Sequence, residues 1–332
     1  MKVLLLQLDG KIPNIALMRI AAHHRARGDE AELRWTRDVA SVAPELFRRP
    51  DRVYASLIFE RTRPVAEALL RTYPDALVGG TGWDVASSLE AVGISTTAQD
   101  YSIYPSWRQS IGFTQRGCRL KCPFCVVPKK EGDVRPELSI HSLWRGGELP
   151  RELILLDNDF FGQHEWEDRI REIKEGGFKV SFNQGINARF LTDETAAAVA
   201  SVDYRDDSMA VKRLYTAWDN SRDENRLFRG LEALVRHGVK ADHIMVYMLL
   251  GYWPWSDLAD WEKRRRALRL FGARPYPMPY ERTAQAIGFQ RWVIGAYDKR
   301  ISWNEWERAS YRPERVGLHA ETPLFDTAGL ED

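Results

Sequence analysis

The chain has 332 residues, 44% hydrophobic and 29% charged, with a formal net charge of +1. That length buries a sizeable core and fits two domains, or one domain with a large appendage. Near-neutrality excludes a global field for nucleic acid, membrane or an acidic partner, and leaves room for local basic clusters.

The opening apolar run, Val3 to Leu6, is too brief for a signal peptide, and no later stretch reaches the roughly 20 apolar residues of a spanning helix. A cytoplasmic protein without membrane contact is expected. Residues 2–7, 30–35, 52–59 and 76–78 read as strands and residues 14–27 and 64–72 as helices, followed by the glycine turn Gly79 to Gly82. This alternation predicts an α/β protein whose residues 1–98 form a small doubly wound parallel sheet, flavodoxin-like in pattern. Residues 99–109, marked by tyrosines and Pro105, read as a linker.

A second series follows over residues 110–279. Strands are expected at 110–114, 153–156, 179–183, 213–217, 244–250 and near 271–274, with helices at 164–175, 192–200, 223–237 and 257–270. Six such repeats suggest a partial (β/α)6 barrel, whose functional groups gather at the C-terminal ends of the strands. From Pro275 the prolines are expected to break the pattern, leaving residues 280–332 as an aromatic-rich extension with an unstructured arm beyond about Glu314.

All three cysteines of the chain, Cys118, Cys122 and Cys125, fall within eight residues. An odd number so crowded argues against a disulfide framework and for a metal or redox site. Full ligation of a [4Fe-4S] cluster needs four thiolates, so three leave one iron without a protein ligand. A structural zinc site is the plainer rival, but it needs four ligands, and the fourth would be a distant His141 or His164.

The spacing C-x3-C-x2-C, with Phe124 just before the last cysteine, resembles the signature of the radical S-adenosylmethionine (SAM) superfamily over residues 110–279. The resemblance implies that SAM chelates the open iron and is cleaved reductively to methionine and a 5'-deoxyadenosyl radical, which abstracts hydrogen from a small-molecule or nucleobase substrate. It also implies an electron donor such as flavodoxin or ferredoxin. Residues 110–132, including Val126 to Gly132, resemble a bacterial and bacteriophage group with a short cobalamin-binding-like domain in front, which names relatives and no substrate.

The superfamily holds the SAM amino group with a Gly-Gly-Glu-type motif after the second strand. Here Asp157 and Asn158 stand at that position, and their oxygens can accept from an ammonium. After the third strand, Asn183 is a candidate for ribose or substrate and Arg189 for the SAM carboxylate. After the fifth, Gly251 resembles the glycine edge that lets adenine approach the backbone. Phe124 is grouped with these cofactor contacts. Trp218, Asp219 and Asn220 follow the fourth strand. The run Lys263 to Arg266 reads as a solvated helix face rather than a nucleic-acid patch.

With every cysteine committed, no thiolate remains for a second cluster or for donating hydrogen, so Tyr215, Tyr247 and Tyr252 are the candidate hydrogen donors. Rearrangement or modification of the substrate is the leading expectation. The alternatives are a cobalamin-dependent radical SAM methyltransferase and a non-catalytic Fe-S electron-transfer or sensor protein. Cobalamin-binding domains usually carry Asp-x-His-x-x-Gly after the first strand. This chain has Asp9, Lys11 and Asn14 there, and an ammonium has no lone pair for cobalt, so cobalamin is not expected.

Overall fold

The computed structural model describes residues 1–38 and 49–310. They pack as two compact units, Met1–Leu153 and the chain from Ile154 onward. Both units are α/β and built on parallel sheets. The expected arm beyond Glu314 lies outside the described residues. No helix among the described residues is long and apolar enough to cross a membrane.

In the first unit β1 (Lys2–Gln7), α1 (Ile15–Arg25), β2 (Glu30–Trp35), β3 (Arg52–Ser56), α2 (Arg63–Thr72) and β4 (Leu77–Gly79) form a parallel sheet of order β2-β1-β3-β4. The interior strand β1 is buried from Val3 to Gln7, as a strand covered on both faces must be, while the edge strand β2 stays half-exposed. Asn14 caps α1 by accepting the Leu17 N–H at 3.1 Å. Helix α2 buries Ala66 and Leu69 against Leu4, Leu6, Val53, Ala55 and Leu57.

Sheets of this order bind ligands where the strand order reverses, here between the ends of β1 and β3. In this chain protein groups occupy that end. Asp9 is buried and accepts the backbone N–H groups of Ile58 and Phe59 at 2.8 and 3.0 Å. The buried Tyr104 phenol donates to Gln7 Oε1 and accepts the Asn14 N–H at 3.1 Å, beside the Trp35 ring.

The segment expected as a linker is fastened to its surroundings. The Tyr101 phenol donates to the Ile111 carbonyl at 3.1 Å and accepts the Ile111 N–H at 2.9 Å, with the Arg145 guanidinium 4.0 Å from its ring. The two compact units meet in sequence after Leu153, so residues 99–109 belong to the first. Strand β5 (Ser110–Gly112), the two-residue strands β6 (Gln115–Arg116) and β7 (Arg135–Pro136), and the short helices α3 (Val127–Lys130) and α4 (Ile140–Leu143) belong to this first unit.

Strand β8 (Glu152–Leu155) lies at the division. The second unit continues through α5 (Trp166–Glu175), β9 (Lys179–Phe182), α6 (Asp193–Ala200), β10 (Asp203–Tyr204), β11 (Leu214–Ala217), α7 (Glu224–Arg236), β12 (Ile244–Leu250), α8 (Leu258–Phe271), β13 (Arg274–Pro279), α9 (Ala284–Ile294) and α10 (Trp303–Ser310). Strands β10, β9 and β8 are neighbours in that order, and β11-β12-β13 form a separate parallel sheet. A partial barrel was expected, and among the described residues its strands fall in separate parallel sheets rather than one continuous sheet. The edge of β9 is taken by β10 through Lys179↔Asp203 and Val180↔Tyr204. The link to β11 is made instead by the loop after β9, where Ile186 N–H donates to the Tyr215 carbonyl at 2.8 Å.

The prolines that were expected to end the pattern form β13. Pro275, Pro277 and Pro279 fall on its buried positions, alternating with Arg274, Tyr276 and Met278, and β13 is an edge strand. An edge strand tolerates proline because the missing N–H groups leave no ladder on its open side unpaired. The extension likewise continues as α9 and α10, with Phe289, Trp292 and Trp303 buried against one another and against Trp261 of α8.

Candidate functional site

The cysteines sit on an excursion closed at its neck by the β6-β7 ribbon, in which Gln115 faces Pro136 and Arg116 faces Arg135. Above the ribbon, Cys118 N–H donates to the Gly132 carbonyl at 3.3 Å and Gly117 N–H to Glu131 Oε2 at 2.9 Å. Glu131 also pairs with Arg116 at 3.0 Å, and Arg116 stacks 3.9 Å from the Phe113 ring. Gly117 has φ +79°, and a Cβ there would stand 2.2 Å from the Asp133 carbonyl oxygen, so the neck needs glycine on both counts.

All three thiols are half-buried and none is in a disulfide. Two sulfurs face backbone donors: Leu120 N–H points to Cys118 Sγ at 3.4 Å and Val127 N–H to Cys125 Sγ at 3.5 Å. Phe124 is half-buried between the second and third cysteines. Among the described residues no three His, Cys, Asp or Glu side chains are gathered around the position of a single metal ion. A cubane cluster makes a different demand, since each thiolate binds a different iron. The donor set of three thiols with amides aimed at sulfur suits iron-sulfur ligation.

The other candidates lie in the second unit. Asp157 is buried and Asn158 half-buried in the loop leaving β8, and Asn183 follows β9, its N–H donating to the Leu155 carbonyl at 3.0 Å. The two loops thus leave the same end of adjacent parallel strands. Arg189 has a protein partner already: its Nη1 lies 2.8 Å from Asp223 Oδ2 and its Nε donates to Asn187 Oδ1 at 3.1 Å. A ligand carboxylate at Arg189 would have to share it with Asp223. Gly251 has φ +77°, lies in open space, and donates its N–H to Ser256 Oγ at 3.1 Å.

The sheet β11-β12-β13 has two unlike faces. Leu214, Thr216, Val246, Met248 and Leu250 are buried, whereas Tyr215, Tyr247 and Tyr276 stand on the half-exposed face. Tyr215 and Tyr247 are stacked, and Tyr276 meets Tyr247 edge-on at 5.5 Å. Burial pushes both the Tyr215 and the Tyr247 phenols up from the ordinary tyrosine range. Tyr252 is set apart in the loop after β12, edge-on to Trp253 and Tyr280.

Asp219, at the end of β11, carries an electrostatic signature that the sequence did not disclose. Burial pushes its carboxyl up to about 6, against the pull of Arg189 and Arg264 and with the repulsion of Asp223. It keeps some solvent contact. The Trp253 indole donates to its carbonyl at 2.9 Å, fastening the loops after β11 and β12 together.

The basic run on α8 differs from its reading as a solvated face. Lys263 and Arg266 are exposed, but Arg264 is buried, bonded to Asp260 and to the carbonyls of Trp218 and Leu249 at 2.8 and 2.9 Å. Arg265 and Arg269 converge on the buried carboxylate of Asp298. The spacing of Asp260 and Arg264, four residues apart on a helix, was the signal available for this pair. No protein-family profile matches the chain, and no curated protein matches it.

Proposed function

We propose that the chain is a radical SAM enzyme, in which Cys118, Cys122 and Cys125 each hold one iron of a [4Fe-4S] cluster. The observation that carries this reading is the single pinned loop on which three thiols, unlinked by disulfide, stand at C-x3-C-x2-C spacing with amides aimed at two sulfurs. When bound, the cluster supplies the electron that cleaves SAM to methionine and a 5'-deoxyadenosyl radical, which takes hydrogen from a small-molecule or nucleobase substrate.

The chain's own groups have separable parts in this reading. The Leu120 and Val127 amides draw charge from the thiolates and so favour the reduced cluster. Asp157 and Asn158 offer acceptor oxygens for the SAM ammonium, with Asn183 at the end of the adjacent strand. A carboxylate at Arg189 would share its guanidinium with Asp223. Strands β8, β9, β11, β12 and β13 are read as successive staves of the partial barrel, an assignment supported by their chain order within each sheet. Tyr215 and Tyr247 keep their phenolic protons because burial opposes ionisation, so either would supply hydrogen as an atom rather than as a proton.

Anaerobic reconstitution tests this directly. The expected result is about four irons per chain, lost on changing any one of the three cysteines to Ala, and 5'-deoxyadenosine on adding SAM and dithionite. Purification with stoichiometric zinc and no iron uptake, or an iron-loaded protein that leaves SAM intact, overturns it.

A further inference from the structure

Residues 116–135 hold six basic and two acidic side chains in a chain whose net charge is only +1. Of the two acids, Glu131 is consumed within the neck by Arg116 and the Gly117 amide. Arg119, Lys121, Lys129 and Arg135 are exposed, and the contact from Lys121 to Asp133 is long, 4.0 Å, with both side chains in solvent. In the ribbon beneath, Arg116 and Arg135 stand directly opposite each other, Arg116 paired with the Glu131 carboxylate and Arg135 donating to the Glu131 carbonyl.

We propose that the exposed face of this loop, formed by Arg119, Lys121, Lys129 and Arg135, is the docking surface for an acidic one-electron carrier protein. The inference rests on the radical SAM reading, which requires an electron to enter at the cysteines these residues flank. Electron-transfer encounters are small and brief, and they rely on charge steering more than on buried area. A concentrated patch on an otherwise balanced chain meets that need. A nucleic-acid surface would extend as a broader basic tract interleaved with stacking aromatics, and the half-buried Phe124 is the only aromatic between 116 and 135.

The test is binding of an oxidised acidic flavodoxin, followed by its flavin fluorescence, to the full-length reconstituted chain and to the triple variant Arg119→Glu, Lys121→Glu, Lys129→Glu. Wild-type binding should weaken at least about tenfold between about 50 and 300 mM salt, and the triple variant should bind at least about tenfold more weakly at low salt. Reversal of the exposed Arg71, Arg226 and Arg266 should leave binding unchanged. Equal binding by the triple variant, absence of binding by the wild type, or preferential binding of single-stranded nucleic acid each overturns the proposal. Dithionite-driven SAM cleavage is read in parallel. Its failure with binding intact sinks the radical SAM reading, while its persistence in a variant that no longer binds sustains both.

Discussion

The ring of Tyr247 lies parallel to that of Tyr215, with centroids 5.8 Å apart and planes within 3° of each other. Their backbones belong to adjacent strands, and Tyr215 faces Met245 rather than Tyr247, so the stack is a diagonal pair on the half-exposed face. Diagonal neighbours on one face lie within reach of aromatic side chains. The arrangement puts two phenols in a poorly solvated setting where ionisation is opposed.

That setting predicts an alkaline signature. Both phenols titrate above the ordinary value of about 10 in the folded chain, while the unfolded chain titrates at that value. The unfolded state is therefore favoured once pH passes about 10: the stability is fully present below that pH and lost above it. Urea midpoints measured from about pH 9 to 11 should fall, and Tyr247→Phe should make the fall shallower. An unchanged slope in the variant would show that Tyr247 titrates freely.

Asp219 predicts an effect at the acidic end. Its folded-state value, raised to about 6, stands above the unfolded carboxylate value of about 3.9. Ionisation thus favours the unfolded chain as pH rises, so the penalty is absent below about pH 4 and complete above about pH 6. Asp219→Asn should match the wild type near pH 3.5 and exceed it by about 2 kcal/mol near pH 7, a figure reduced for residual solvent contact. Parallel stability curves for the two proteins would rule out the raised carboxyl.

Arg264 should behave as a buried strut. Its guanidinium serves Asp260, the carbonyls of Trp218 and Leu249, and Ser256 Oγ at 3.3 Å. Arg264→Ala leaves a half-buried carboxylate and two carbonyls without this donor and should cost about 2 to 4 kcal/mol. Arg264→Lys should recover less than half of that, because an ammonium cannot span the fork. Lys263→Ala removes only an exposed pair with Glu224 and should cost less than about 1 kcal/mol. Urea denaturation of the three variants checks the order, and equal losses at 263 and 264 would contradict it.

The longer strands were legible because they are apolar runs bounded by turn residues, and β1, β2 and β12 fall at the expected residues, whereas the strand expected near 271–274 begins only at Arg274. What escaped depends on partners distant in sequence. Tyr104 reads as a linker tyrosine until Gln7, far upstream, accepts its hydroxyl. Pro275, Pro277 and Pro279 read as breakers because proline removes donors, and only the edge position of β13 makes them harmless. The break between β9 and β11 was invisible because β10 is two residues long, below any periodicity. At the site, the cysteine spacing was plain in the sequence. The ion pair of Arg189 with Asp223 and the burial around Asp219 arise from loops of different strands.

The neck of the cysteine loop gives the most direct test of how the fold serves the thiols. Gly117 combines a left-handed φ of +79° with the close approach of the Asp133 carbonyl, whereas Gly132 has a similar φ of +73° in open space. The two glycines separate backbone strain from steric exclusion. An Ala at either position pays about 1 to 2 kcal/mol for the left-handed conformation. Only at 117 does the added methyl meet a backbone oxygen, at 2.2 Å, which cannot swing aside as a side-chain tip would. Relief requires the ribbon to open, and that draws Cys118 away from the Gly132 carbonyl to which its N–H is bonded. Gly117→Ala should therefore lose most of its iron on reconstitution while its far-ultraviolet circular dichroism stays like that of the wild type, because the two parallel-sheet cores lie outside the neck. Gly132→Ala should keep its iron. If Gly117→Ala loads iron as fully as Gly132→Ala, the pinned neck is not what organises the cysteines.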